Sequence, residues 1–129
     1  MEVIVATLIA TLAVIGLAYT FGMGRGFIDR FEIARAALGA AEGRLEEIAS
    51  LPAADPLATP LIQHTSNFEV GGQVFGTERW ILTWVDDATD GLAPADLNPR
   101  DLRQLTVTVD FDLNSMPDSV RLTRLLPPQ

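Results

Sequence analysis

The most constraining feature of the sequence is a stretch without a charged side chain that runs from Val3 to Gly24. In a helix, which rises 1.5 Å per residue, about 20 apolar residues span the roughly 30 Å hydrocarbon core of a bilayer. The stretch therefore predicts a membrane-spanning helix. In a chain of 129 residues, this leaves room for one small folded domain after the helix.

The helical pattern continues beyond the apolar stretch, but residues 25–51 are amphipathic. Apolar side chains recur there every three or four residues, which is typical of one face of a helix: Phe27, Phe31, Ala34, Leu38, Ala41, Leu45 and Ile48. Leu51 precedes Pro52, and the residue before a proline is disfavoured in a helix. We therefore expect one helix from Glu2 to Leu51, about 75 Å long.

Glycines at positions 22, 24 and 26 interrupt the side-chain pattern where the apolar stretch ends. Each glycine costs about 1 kcal/mol in a helix interior, so Gly22–Gly26 predicts a soft point, either a locally unwound segment or a kink. The surrounding spacing is not a dinucleotide fingerprint, because no strand precedes it and no βαβ unit follows.

The apolar face of residues 25–51 needs a cover, and two covers fit the pattern. A coiled coil uses large apolar residues over three or four heptads, whereas Ala34 and Ala41 are small. Alanine allows another layer to approach closely. We therefore favour a sheet packed across this face, with a dimeric coiled coil as the alternative.

After a connector at residues 52–63, which contains three prolines, the apolar period changes from that of a helix to that of a strand. Gly71 and Gly72 predict a tight hairpin turn. The predicted strand segments are Asn67–Val70, Gln73–Phe75, Arg79–Val85, Leu105–Phe111 and Ser119–Thr123. They indicate an antiparallel sheet with one buried face and one solvent-exposed face.

The resulting prediction is an α+β fold in which a long N-terminal helix packs on a small antiparallel sheet. Residues 1–24 form the transmembrane half of the helix, residues 25–51 form the amphipathic half, and residues 52–129 form the sheet domain. Leu105, Val107, Val109 and Phe111 alternate with polar residues and are expected to face the helix.

The segment from Glu2 to Leu17, with Ala41–Pro52 further on, resembles the N-terminal helix of type IV pilins and type II secretion pseudopilins, particularly the minor members. This resemblance implies a pilin-like fold and partners that are other pilin or pseudopilin subunits. Glu2 matches the family glutamate that neutralises the terminal amine of a neighbouring subunit, which makes Glu2 the candidate assembly residue. No cofactor is implied.

The family's basic leader and cleavage site would lie upstream of Met1, which occupies the position just before the glutamate. Either translation begins upstream, in which case prepilin peptidase is a further partner, or the processing site is absent. Arg25, Arg30 and Arg35 follow the apolar stretch and would by themselves stay in the cytoplasm. A basic leader would restore the orientation that places the C-terminal domain in the periplasm.

A cleavable secretory signal is disfavoured as an explanation of the apolar stretch, because the core of such a signal is about 7–15 residues long. The resemblance implies a single-pass protein of the inner membrane that later enters a pilus or pseudopilus. Nine basic and seventeen acidic residues give a formal charge of -8. This charge disfavours binding to nucleic acid.

Residues suited to catalysis are scarce in this sequence. The lone histidine, His64, is assigned to the end of the proline-rich connector, and the chain has neither lysine nor cysteine. Nucleophilic catalysis needs a base beside its nucleophile, and Glu46–Glu47 are expected to be solvated on the charged side of the helix. We therefore predict that the protein is not an enzyme.

Asp86, Asp87, Asp90 and Asp96 form the best candidate for a cation site. Calcium takes six to eight oxygen ligands in a tight loop, but the spacing is not that of an EF-hand. Acidic residues beside Gly91 and Pro94 are typical of turns. We expect no metal, with calcium as the alternative.

The sequence thus predicts a minor pilin or pseudopilin that acts as a structural subunit of a filament or its tip. The alternative is a single-pass membrane-anchored periplasmic binding domain that does not polymerise. An anchored hydrolase would need a catalytic set that the sequence does not display.

Overall fold

The computed structural model describes residues 2–52, 54–87, 100–113 and 115–127. These residues form one helix and four strands: α1 at Glu2–Ser50, β1 at Gln63–Val70, β2 at Gln73–Val85, β3 at Leu102–Leu113 and β4 at Met116–Leu126. A 3₁₀ turn lies at Pro56–Ala58. The predicted α+β class, with a long apolar N-terminal helix and a small antiparallel sheet, is confirmed.

The chain divides into two compact units, Met1–Ile33 and Ala34–Gln129. In the first unit, α1 is helical at every described residue, including Gly22–Gly26. The soft point predicted at these glycines is therefore not visible as a break in the helix. The helix is long and apolar enough to cross a membrane, with a mean hydropathy of 2.3 over its best window. The division predicted at residues 24 and 51 stays a prediction.

In the second unit, the four strands lie in the order β1-β2-β3-β4, and each pairs antiparallel with the next. The predicted hairpin between β1 and β2 is confirmed. Gly71 and Gly72 have φ angles of 60° and 81°, the left-handed conformation that a two-residue hairpin turn of type I′ requires. A β-bulge lies just before this turn, at Phe68–Glu69.

Strand β2 is longer than predicted. The sequence indicates two segments, Gln73–Phe75 and Arg79–Val85, whereas the structure has one strand through both. Gly76 lies between them and pairs with Phe68 on one side and Phe111 on the other. Here glycine does not break the strand, because it permits close approach of the β3 backbone.

The core of the second unit lies between the sheet and residues 34–50 of α1. Strand β3 contributes Leu105, Val107, Val109 and Phe111, which are all buried as predicted. The helix contributes the buried side chains of Ala37, Ala41, Leu45 and Ile48. The sheet therefore covers the helix, as favoured over a coiled coil.

The prediction for the N-terminal part of the apolar helix face, from Phe27 to Leu38, is wrong. Leu38 is 40% exposed, whereas Ala37 beside it is fully buried. The buried positions are spaced by four, four and three, and alanine at two of them lets the sheet lie close to the helix. Phe27 and Phe31, which belong to the first unit, are also exposed, at 59% and 74%.

The connector is more ordered than its prolines suggest. Asp55 Oδ1 accepts a hydrogen bond of 2.8 Å from the Leu57 backbone N–H and caps the 3₁₀ turn. The Leu61 N–H then donates to the Leu82 carbonyl oxygen over 2.8 Å, and this bond aligns the chain with β2. Strand β1 begins at Gln63, so His64 lies in a strand and not in the connector as predicted.

Replacement of Gly76 by alanine tests the close approach of β2 and β3. A Cβ atom there would lie 1.9 Å from the Asp110 carbonyl oxygen, which forces the two backbones apart. We expect Gly76→Ala to lower the free energy of unfolding by about 3 kcal/mol, measured by denaturant titration of the full chain in mild detergent.

Gly43→Ala is the matched control. Apart from the adjacent helix backbone and chain neighbours, no atom lies within 4 Å of a Cβ built on Gly43, and alanine is the better helix former by about 1 kcal/mol. We expect this variant to be slightly more stable than the parent. Equal effects of the two variants would contradict the close approach at Gly76.

Candidate functional site

The apolar part of α1 presents its side chains outward on every side. The exposed large apolar residues between positions 3 and 23 are Val3, Ile4, Val5, Leu8, Ile9, Leu12, Val14, Ile15, Leu17, Tyr19, Phe21 and Met23. Soluble monomers rarely expose a contiguous apolar surface of this extent. The segment therefore needs a cover of lipid or of other apolar helices.

The threonine hydroxyl groups within this segment are satisfied by the helix itself. Thr11 Oγ1 donates to the Thr7 carbonyl oxygen over 2.8 Å, and Thr20 Oγ1 donates to that of Gly16 over 2.9 Å. Thr7 Oγ1 contacts the carbonyl oxygens of Val3 and Ile4 at 3.0 and 2.9 Å. Because hydrocarbon offers no hydrogen-bonding partner, such internal bonds suit a helix in lipid.

Glu2, the predicted assembly residue, lies in the first turn of α1 and is exposed. Its carboxylate has no ion-pair partner among the residues that the structure describes. A helix N-terminus favours a negative charge, but an unpaired carboxylate taken into hydrocarbon costs several kcal/mol. The assembly role of Glu2 stays a prediction.

A second group of polar side chains lies inside the folded unit, between α1 and the sheet. Arg44 Nε donates to Glu78 Oε1 over 3.1 Å, and Arg44 Nη2 donates to Glu78 Oε2 over 3.0 Å. Ser66 Oγ adds a bond of 3.0 Å to the same Oε2, and Glu47 Oε2 lies 2.7 Å from Arg44 Nη1. The Arg44 guanidinium thus joins the helix to β2 through two parallel, charge-assisted hydrogen bonds to Glu78.

This ion pair is largely removed from water. The Glu78 side chain is 7% exposed and that of Arg44 is 22% exposed. The pKa of the Arg44 guanidinium is raised above its ordinary value: its hydrogen bond with Glu78 raises the pKa most, burial opposes this, and the charges of Glu78 and Glu47 raise it further. Arg44 therefore stays charged, and its charge remains paired with Glu78.

Trp80 completes the cluster beside the ion pair. The Arg44 Cζ atom lies 4.5 Å from the centroid of the Trp80 ring, and the His64 ring stacks on Trp80 at 5.4 Å with an interplanar angle of 17°. The indole Nε1–H of Trp80 donates to the Leu57 carbonyl oxygen over 3.3 Å. One stacking contact, one cation–π contact and one hydrogen bond thus fix the position of Trp80.

His64 does not form a catalytic pair in this arrangement. Its Nε2 atom is buried and has no hydrogen-bond partner among the described residues, and the nearby Ser66 hydroxyl is bonded to Glu78. A base must lie within hydrogen-bond reach of the proton that it removes. The geometry of His64 is that of a packing residue.

The sequence analysis does not identify this cluster. The available signal is the position of Glu78, two residues from both Gly76 and Trp80 on the inner face of β2, where a charge needs a partner. Glu46 and Glu47, expected to be solvated, both form ion pairs: Glu47 with Arg44, and Glu46 Oε1 with Arg124 Nη1 at 3.0 Å. Both remain substantially exposed.

The predicted cation loop falls mostly outside the described residues, since residues 88–99 are not among them. Asp87, at its start, donates its backbone N–H to Asp101 Oδ2 over 3.1 Å. Within the described ranges, no group of three or more His, Cys, Asp or Glu side chains could hold a metal ion.

A shallow concavity of about 430 Å³ lies at the end of the sheet that holds the β3–β4 hairpin. Its lining includes three carboxylates, from Asp110, Asp112 and Asp118, together with the hydroxyls of Thr77 and Ser119. In the part of the chain that the structure describes, neither a histidine nor an arginine lines it. The chemistry available there is that of an acidic, open surface.

No family model matches the chain, and neither a curated protein nor a solved structure shows detectable similarity to it. The long helix packed on a small antiparallel sheet is compatible with a pilin-like architecture. Membership of the pilin family stays a prediction.

The Arg44–Glu78 pair yields a test by double substitution. Glu78→Leu leaves the guanidinium of Arg44 without its main partner, and we expect the free energy of unfolding to fall by about 3 kcal/mol. Arg44→Met combined with Glu78→Leu removes both charges, and we expect it to recover most of that loss. Denaturant titration of the full chain measures both variants.

Arg124→Met with Glu46→Leu serves as the matched control, because this pair is exposed and should contribute less than about 1 kcal/mol. If Glu78→Leu alone costs no more than the exposed control, the ion pair does not secure the helix to the sheet.

Proposed function

We propose that the protein is a minor pilin or pseudopilin, a structural subunit of a type IV pilus or type II secretion pseudopilus. The observation that carries the proposal is the helix α1. It begins with Glu2, is apolar on all sides through residue 24, and in residues 34–50 packs on a four-stranded antiparallel sheet. An apolar helix and a folded unit on one chain are what such a subunit needs.

In this role, the apolar half of α1 first holds the subunit in the inner membrane, with the sheet domain in the periplasm. It then exchanges lipid for the apolar helices of neighbouring subunits. Lipid and helices are similarly apolar, so close packing and polar contacts decide the association. The exposed apolar side chains supply the packing surface.

Glu2 provides the polar contact. In a filament core, its carboxylate is removed from water, and a partner of opposite charge recovers the energy that desolvation costs. The terminal amine of the neighbouring subunit fits this requirement, because both charges are then neutralised at one axial position. Glu2 would thus set the register between subunits.

A membrane-anchored periplasmic binding domain that does not polymerise is the second candidate. The observation that favours it is the open concavity of about 430 Å³ beside Gly76, within the usual size range of ligand sites. In that case, α1 would serve only as an anchor, and Glu2 would be a solvated residue at its end.

Glu2→Ala distinguishes the two candidates. For a pilin-like subunit, we expect the substitution to remove nearly all of the protein from sheared filaments, because the neighbouring amine loses its partner. The fraction in the membrane should not change, since alanine is at least as compatible with lipid as glutamate. Immunoblots of filament and membrane fractions measure both quantities.

Glu32→Ala is the control, because Glu32 is an exposed carboxylate on the same helix but lies beyond the apolar stretch. We expect it to retain assembly. Normal assembly of Glu2→Ala would reject the assembly role of Glu2. Absence of the parent protein from sheared filaments would instead favour the anchored binding domain.

The mass of the native N-terminus tests the proposed processing by prepilin peptidase. We expect the mature protein to begin three positions before Met1 with a methylated residue, which makes Glu2 its fifth residue. Mass spectrometry of protein purified from its own membrane gives this value. An unprocessed, unmethylated N-terminus would contradict the proposed maturation.

A further inference from the structure

The outer face of the sheet, which points away from α1, carries a small groove with a mixed lining. Cross-strand pairing places Thr65, Arg79, Thr108 and Arg121 in one row across the four strands. The groove is lined by Gln63, Arg79, Ile81, Thr106, Thr108 and Arg121, and also by Trp80, whose ring lies on the inner face against Arg44. We call it the outer groove.

The outer groove is too small for most small-molecule ligands. Its volume is about 120 Å³, whereas ligand pockets usually enclose about 300–1,000 Å³. Ile81 offers an apolar contact, with Arg79 on the same strand and Arg121 on β4. A groove of this size and lining suits one aliphatic side chain beside one carboxylate.

Arg121 is the basic group that remains available in this groove. Arg44, Arg79 and Arg124 form ion pairs with Glu78, Asp110 and Glu46. Arg103 donates to the Pro127 carbonyl oxygen, and Arg100 lies over the Trp84 ring. Among the described residues, exposed Arg121 has no such partner. The chain has a net charge of -8. An arginine that is not paired with a carboxylate of its own chain can attract an acidic group of a partner.

The same folded unit displays a matching surface on α1. Leu38 is 40% exposed, and Glu42, four residues later and therefore on the same side of the helix, is also exposed. Glu42 has no ion-pair partner within the part of the chain that the structure describes. Leu38 and Glu42 thus present one aliphatic side chain and one carboxylate about one helical turn apart.

We propose that the outer groove of one copy binds the Leu38–Glu42 turn of a second copy of this chain. Leu38 contacts Ile81, and the Glu42 carboxylate pairs with Arg121, beside the Arg79–Asp110 ion pair. Two copies that each carry a charge of -8 repel one another in most orientations. This pairing brings opposite charges together, so electrostatics selects the orientation.

The contact joins two different surfaces and is therefore heterologous. Such a contact leaves the groove of one copy and the helix turn of the other free for further copies. It lies wholly in residues 34–129 and depends on residues other than Glu2. It extends the proposed assembly role to the folded unit but stands or falls separately from it.

Cysteine cross-linking tests the contact directly, because the native chain contains no cysteine. A mixture of full-length Thr123→Cys and full-length Gly39→Cys, reconstituted in vesicles, should form a disulfide-linked dimer under mild oxidation. Both positions are exposed and flank the contact, so the mixture keeps Glu42 and Arg121. The control mixture pairs Thr123→Cys with Glu69→Cys, which carries an exposed thiol on β1. We expect at least fivefold more dimer from the first mixture, and equal yields would overturn the proposal.

Charge reversal tests the pairing of Glu42 with Arg121. Association of full-length copies in vesicles is measured by fluorescence energy transfer. Arg121→Glu or Glu42→Arg alone should weaken it about fivefold, as loss of an exposed ion pair and gain of a repulsion imply. A mixture of the two single variants restores one attractive contact per pair and should recover association. Failure of that mixture to recover would overturn the pairing.

A final comparison separates this contact from the role of Glu2. In a Glu2→Ala background, the Thr123→Cys and Gly39→Cys mixture should still cross-link, because the contact does not involve the apolar half of α1. Retained cross-linking with normal filaments would reject the assembly role of Glu2 alone. Non-specific cross-linking with lost filaments would reject the outer-groove contact alone.

Discussion

The structure of the folded unit depends on how closely α1 can approach the sheet. Ala37 and Ala41 occupy the contact where larger side chains would hold the layers apart, and both are fully buried. That proximity lets Arg44 reach Glu78 on β2 with two hydrogen bonds. A desolvated ion pair contributes little stability by itself, but loss of either partner leaves a buried charge unpaired, so the pair favours placements of the helix that keep both groups in contact. The small apolar residues allow the helix to lie close to the sheet, and the ion pair favours one alignment of the helix along the sheet.

The two parts of α1 satisfy opposite solvent requirements with one secondary structure. Up to residue 24, the threonine hydroxyl groups bond to the helix backbone and the apolar side chains point outward. From residue 34 onward, Ala37, Ala41, Leu45 and Ile48 are buried against the sheet, and Arg44 and Glu46 form ion pairs with residues of the sheet. The first arrangement suits lipid and the second suits water. A subunit that moves from membrane to filament would need both.

The helix and the strands could be predicted from the sequence because each carries its own periodicity. The alternation from Leu105 to Phe111 and the glycine pair at 71–72 are local patterns, and they suffice to identify β3 and the β1–β2 hairpin. Prediction from local patterns fails where contacts with a neighbouring element determine which side chains are buried or where a strand begins. Ala37 replaces Leu38 in the core because the sheet lies close, and His64 joins β1 because the Leu61 N–H bonds to β2. Glu78 is missed for the same reason, since its partner lies 34 residues away. Glu2 alone came from a resemblance, and its role is still a proposal.

The ends of the sheet bear on what kind of polymer such a chain can enter. Strands β1 and β4 are the edges, where unpaired backbone groups could recruit strands from other molecules and start amyloid-like growth. The bulge at Phe68–Glu69 twists one edge, while Pro117 removes a donor from β4 and Arg121 and Arg124 add charge there. These features discourage strand addition. If the chain assembles as proposed, many copies would lie side by side, and these edge features would then oppose cross-β aggregation.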